Sequence, residues 1–316
     1  MVTLLAIALA GSKIGVSRLR NLNNIKIIST MKKSIYFIIA AAALISCSKS
    51  EPAEVNADEL RFDISYPATK ATASSFENGD AISLYAVEYA ADGTQMPLQV
   101  GGNYLNNEKI TCSGSSWTPE RKLFWSERPC DFYGIYPYQN VTSIESYPFS
   151  VATDQSGDGY EASDLLYAYT QNVSRSASAV SLQFQHIMSK LVVKLEKGPK
   201  FEGKIPDDVV AHIYNTNVEC TANFITGSVE KNAFGAKNTI TMKKLSNEQF
   251  EAILVPQNLE RSTPLIELTM GGIAYLLDYS LSFRAGYVHT VTITLNTSPD
   301  QEQIEISIDP SVNPWK

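Results

Sequence analysis

The chain has 316 residues, of which 44% are apolar and 19% charged, and a formal net charge of −7. That length is enough for one or two packed domains, and the excess of acid excludes nucleic acid as a partner class, because phosphate binding needs a basic face. Four cysteines without a Cys-x-x-Cys pair, and three histidines without ligand spacing, exclude a zinc site.

Residues 31–47 read MKKSIYFIIAAAALISC. Lys32 and Lys33 form a basic start, residues 35–44 an uncharged apolar run too short to span a bilayer, and Leu44-Ile45-Ser46-Cys47 the end. This ending resembles the lipobox of bacterial lipoproteins, in which the cysteine is acylated and everything before it is removed. The expectation is a signal peptide over 31–46, a lipid on Cys47 and a start mis-called upstream for residues 1–30. Removing 1–46 takes out six basic residues and no acidic one, so the remaining 270 residues carry a formal charge of −13.

The first strand pattern after the polar stretch is residues 60–66. Leu60, Phe62, Ile64 and Tyr66 point one way and Arg61, Asp63 and Ser65 the other, the period of a half-buried strand. Residues 67–75, PATKATASS, are small and polar, and carry one basic residue, Lys70. Glycine-rich turn signals then follow at 78–80, 92–93, 101–102 and 157–159, separated by short apolar runs. A helix is expected over 163–169 with Ser163 as its N-cap. The polar, serine-rich stretch 170–179 is the best domain boundary. Beyond it, residues 191–196, 250–255, 265–270 and 287–295 alternate as strands. The far end repeats the first pattern: Ile304, Ile306 and Ile308 share a face and Val312 keeps their parity. Many short strands with turns between them predict an all-β sandwich architecture.

Six segments, in order along the chain, resemble the fimbrillin (Mfa-like) family of Gram-negative surface lipoproteins, the subunits of type V pili. They are FENGDAISLYA (76–86), DFYGIYPY (131–138), SDLLYA (163–168), LQFQHIMSKL (182–191), Val255-Pro256 and FRAGYVHTV (283–291). The resemblance implies two transthyretin-like β-sandwich domains in tandem, here 71–178 and 179–298, flanked by a pro-segment (47–70) and a tail (299–316). It also implies export to the outer membrane surface, removal of an N-terminal strand by an Arg/Lys-specific protease, and polymerisation with other fimbrillin subunits by strand exchange into a fimbria. Under that implication Leu60, Phe62, Ile64 and Tyr66 form the removable strand and Ile304, Ile306, Ile308 and Val312 the donor strand. Lys70 is the preferred cleavage site and Arg61, inside the strand pattern, the second choice. Both ribbons can also be read as ordinary edge strands.

No nucleophile elbow, metalloprotease helix or phosphate loop is present, so no enzyme, metal or cofactor other than the Cys47 lipid is expected. His186, His212 and His289 read as structural. Asp154, Asp158 and Glu161 lack the ligand order of a calcium loop. Phe132, Tyr133, Tyr136 and Tyr138 read as sandwich core before sugar platform. A disulfide between Cys112 and Cys130, or free thiols, are both open. The competing function is a non-polymerising surface lipoprotein that binds a glycan or host protein.

Overall fold

The computed structural model describes residues 58–66, 75–259, 264–297 and 306–315, all within one compact unit. The signal segment, Cys47, Lys70 and Ile304 lie outside the described residues. In chain order the strands are β1 (Phe62–Ser65), β2 (Ala81–Glu88), β3 (Leu105–Ser113), β4 (Ser116–Pro119), β5 (Cys130–Tyr136) and β6 (Tyr147–Ser150); the short helix α1 (Gly159–Ala162) follows. Next come β7 (Leu166–Val173), β8 (Val180–Gln183), β9 (Gln185–His186), β10 (Ser189–Lys200), β11 (Val210–Asn217), β12 (Glu219–Asn223), β13 (Ser228–Lys231) and β14 (Lys237–Thr241). The last are β15 (Lys243–Ser246), β16 (Gln249–Leu254), β17 (Gln257–Leu259), β18 (Ile266–Met270), β19 (Ile273–Leu277), β20 (Leu281–Phe283), β21 (Tyr287–Thr297) and β22 (Ile306–Pro314). The fold is all-β, as the alternation predicts.

A six-stranded sheet runs β4-β3-β2-β5-β7-β9 and a five-stranded sheet runs β15-β16-β10-β21-β22. Sheets of four (β14-β11-β18-β19) and three (β13-β12-β6) strands and the pairs β1-β8 and β17-β20 complete the set. Pairing is antiparallel except in β1-β8 and β10-β21.

Two apolar clusters form the core, and the period of two in β2 and β5 serves both. Ile82, Leu84 and Ala86 of β2 and Phe132 of β5 enter the first cluster with Leu166, Val180, Leu182 and Phe184. Tyr85 and Val87 of β2, with Tyr133 and Ile135 of β5, enter the second, which Leu191, Val193, Phe250, Val291 and Ile293 fill. Central strands buried on both faces read as nearly continuous apolar runs, which is the sequence of both strands. Val180, Leu182 and Phe184, beyond the boundary expected at 178/179, belong to the first cluster. Gly134 is required there: a Cβ on it would lie 2.7 Å from the Phe184 ring.

The helix expected over 163–169 is absent. The helical turn lies earlier, at Gly159–Ala162, with Ser163 at its C-cap, and 166–173 form β7. Ser163 does not start the helix: its hydroxyl donates back to the Gly159 carbonyl at 2.6 Å and receives the Ala152 amide at 2.9 Å. Past it, Leu166 and Ala168 alternate with Tyr167 and Tyr169, a strand period that the local apolar density obscured. Cys112, Cys130 and Cys220 are buried free thiols. Burial pushes the Cys130 thiol up to about 11 and that of Cys220 up to about 12.

Candidate assembly site at the chain ends

The leading ribbon folds as its alternation predicts. Leu60 is buried, Phe62, Ile64 and Tyr66 are half-buried against the first cluster, and Arg61, Asp63 and Ser65 are exposed. Its strand partner is β8, in parallel register from Phe62 with Val180 to Ser65 with Gln183. At its start an antiparallel bridge joins Glu59 to Phe124, with Leu60 N–H donating to Leu123 O and Trp125 N–H to Asp58 O, both at 2.8 Å. Phe62 lies edge-on to Phe132 at 6.4 Å, and Tyr66 edge-on to Phe76 at 4.9 Å. Arg61, the second-choice cleavage residue, has its carbonyl bonded by the Val180 amide at 2.8 Å, and its guanidinium donates to the Ala177 carbonyl. A protease needs an unpaired extended backbone, so Arg61 is poorly placed while the ribbon is seated.

The tail strand β22 lies on the edge of the five-stranded sheet, antiparallel to β21, with Ile308 opposite Ile293 and Val312 opposite His289. Ile308 is half-buried against the second cluster, whereas Val312 is 45% exposed. Residues 309–314 are all exposed and Trp315 is buried. The tail is therefore held by main-chain pairing, by Ile308 and by its terminal indole rather than by a continuous apolar face. The Trp315 amide donates to Gly286 O at 2.7 Å, and the Gly286 amide to Met188 O at 2.7 Å. Gly286 has φ +71°, and a Cβ there would lie 3.1 Å from His186 O, so this gripping turn needs glycine.

Both ribbons end at a buried polar cluster. His186 Nδ1 lies 3.0 Å from Asp164 Oδ1, and the Tyr66 hydroxyl donates to Asp164 Oδ2 at 3.3 Å. Burial, then the Asp164 carboxylate, raises the Tyr66 phenol well above its ordinary value, so it stays protonated and a donor. Trp315 stacks on the imidazole at 3.6 Å with planes 9° apart. Behind it the buried Lys190 ammonium pairs with Glu251 at 2.6 Å, and the Tyr160 hydroxyl donates to the same carboxylate at 2.9 Å.

A family model described as fimbrillin-like matches residues 69–315. The chain belongs to the fimbrillin-like family. No curated protein sequence matches it. Similar solved structures include a putative cell adhesion protein from Bacteroides uniformis, 21% identical, covering 82% of this chain and 99% of that one with a TM-score of 0.63. A second putative cell adhesion protein, from Bacteroides ovatus, is 16% identical, with coverages of 82% and 97% and a TM-score of 0.62. A fimbrial protein from Bacteroides vulgatus is 15% identical, with coverages of 82% and 100% and a TM-score of 0.51. At these identities the likeness is one of fold.

The remaining candidate residues of this fimbrillin-like chain are dispersed. Phe132 and Tyr133 are buried, and Tyr136 packs on the first cluster and donates to Asp80 Oδ1 at 3.1 Å. Tyr138, 39% exposed beneath the Lys109 ammonium, remains as a surface ring, so these four form no aromatic platform. His289 accepts the Arg284 amide at 3.0 Å, and His212 Nδ1 lies 3.4 Å from Glu267. Asp154 accepts from Ser156 N and Oγ, Glu161 pairs with Lys243, and no metal-ligand cluster occurs among the described residues. No helix among them is long and apolar enough to cross a membrane. Sequence reading missed Trp315 and the joint role of His186 and Asp164. The one signal was a lone tryptophan near the end of the tail, outside the parity of its isoleucines.

Proposed function

We propose that the chain is a structural subunit, shaft or accessory/tip, of a cell-surface fimbria, assembled when proteolysis removes the leading ribbon and a neighbour's tail occupies the vacated slot. The observation that carries this reading is the seating of the leading ribbon: an apolar strand paired with β8 alone over Phe62–Ser65, lying on a buried apolar floor. Full burial of such a side chain contributes roughly 1.5–3 kcal/mol, and of the four Leu60 is buried while Phe62, Ile64 and Tyr66 are half-buried. Together they approach the lower end of a whole domain's stability, about 5–15 kcal/mol. An emptied slot is thus a strong acceptor for a strand of like pattern added along the edge of β8. The tail offers such a pattern from a sheet edge where its Val312 side chain lacks cover. Acylation of Cys47, residence at the outer membrane and cleavage after Lys70 by an Arg/Lys-specific protease belong to the same proposal.

Treating the full chain with an Arg/Lys-specific protease is expected to give SDS-resistant ladders whose subunits begin at Ala71. Deleting 299–316 is expected to abolish the ladders while the monomer keeps its β-sheet circular dichroism. Ladders formed by the deletion variant, or polymer with only acylated Cys47 at its N-termini, overturn the proposal. Absence of any polymer from the intact chain favours the lipoprotein that binds a glycan or host protein without polymerising.

A further inference from the structure

The two ribbons meet on one side chain. Tyr66, the last described residue of the leading ribbon, sets its ring edge-on to His186 at 5.5 Å and bonds Asp164 at 3.3 Å. Trp315, the last described residue of the tail, lies flat on the same imidazole at 3.6 Å. The His186 ring has one hydrogen bond to fix its plane, that of Nδ1 to Asp164, since Nε2 is buried without a partner. Its orientation therefore depends on Asp164, which Tyr66 holds, and on the two aromatic contacts. Trp315 and His186 also stand between two cavities of about 180 and 540 Å³, lining both. Apart from its main-chain pairing with β21 and the half-buried Ile308, the tail has Trp315 as its one buried side chain among the described residues, since 309–314 are exposed.

We propose that this junction couples the ribbons: Tyr66 keeps Asp164 and His186 aligned as the platform for Trp315, so the tail is held while the leading ribbon is present and freed when it leaves. A subunit then offers its donor strand only after its own slot has opened. The inference rests on the strand-exchange reading above and deepens it by assigning its order of events. Coupling of this kind is reciprocal, so loosening the tail must loosen the ribbon by the same factor.

The test is amide hydrogen exchange of the monomeric full chain, read over 306–315 and over 60–65. Tyr66→Ala is expected to speed exchange in the tail about tenfold. Phe62→Ala, which weakens the same ribbon at Phe132 and away from His186, is expected to loosen the tail far less than Tyr66→Ala, because it leaves the Tyr66, Asp164 and His186 contacts in place. Trp315→Ala is expected to speed exchange in 60–65 by the factor seen in the reciprocal experiment, and it decides the matter should Tyr66→Ala fail to fold. Equal loosening of the tail by Tyr66→Ala and Phe62→Ala, or by neither, overturns the coupling. Because the readout is monomeric, it is separable from assembly. A tail freed by Tyr66→Ala in a chain that never ladders upholds the junction and sinks strand exchange, and ladders with an unmoved tail do the reverse.

Discussion

His289 shows at the scale of one residue how burial converts into a pH response. It is buried in β21, its Nε2 accepts the Arg284 amide, and its ring lies edge-on to Phe283 at 5.2 Å. An accepting Nε2 requires the neutral ring, and burial holds the pKa below the ordinary histidine value. Above a pH of about 6.5 both folded and unfolded chains carry it neutral and it adds no pH dependence. As the pH falls below that value the unfolded chain takes up a proton that the folded one refuses. Stability is then lost until the folded pKa is reached, where the loss levels off. The denaturant midpoint is expected to fall as the pH is lowered below about 6.5, and His289→Gln is expected to flatten that fall. An unchanged slope in the variant would assign the loss to other groups. The placement of His289 on the apolar face of its strand was legible from alternation alone; the Arg284 amide that fixes its tautomer was not, because a tight turn had to bring it back five residues.

Among the elements, the leading ribbon and the tail were both readable as strands from period-two patterning, but their seating differs. Leu60, Phe62, Ile64 and Tyr66 are covered as that pattern requires. The tail's even-numbered face is covered at Ile308 and bare at Val312. Alternation reports which residues share a face and is silent on whether a second sheet lies over it. The failure at 163–169 has the same root: a short apolar run fits a helix or a strand until its partners are known, and β5 supplies the pairing for Leu166 to Val173. The junction was invisible in sequence because Tyr66, Asp164, His186 and Trp315 are brought together by three separate strand pairings. Since Val312 is exposed in the monomer, Val312→Asp is expected to change monomer stability by no more than about 0.5 kcal/mol. The same substitution places a charge in a slot that strand exchange would bury, and ladders are expected to be lost. Denaturation and the ladder assay on one preparation check both halves. Wild-type laddering would remove Val312 from the donor face.

Across the whole molecule, β2 and β5 carry one core on each face, so loss of either cluster strips cover from the strands that build the other. One cooperative unfolding transition is expected. Trp117 and Trp125 border the first cluster and Trp315 lies in the second, so fluorescence of tryptophan-to-phenylalanine variants reads each separately. Coincident midpoints are the expected result, and two resolved transitions would show that the clusters melt apart.

The parallel register of the leading ribbon on β8 has a temporal consequence. Parallel neighbours are not joined by a tight hairpin, so the contacts that hold Phe62 to Ser65 do not depend on an unbroken chain beyond Tyr66. A backbone cut downstream leaves the severed piece docked, and it departs at the rate its own packing allows. Under the proposed processing, the interval between severing and readiness would be a waiting time written into four side chains, adjustable by making any one of them smaller or larger without touching the protease.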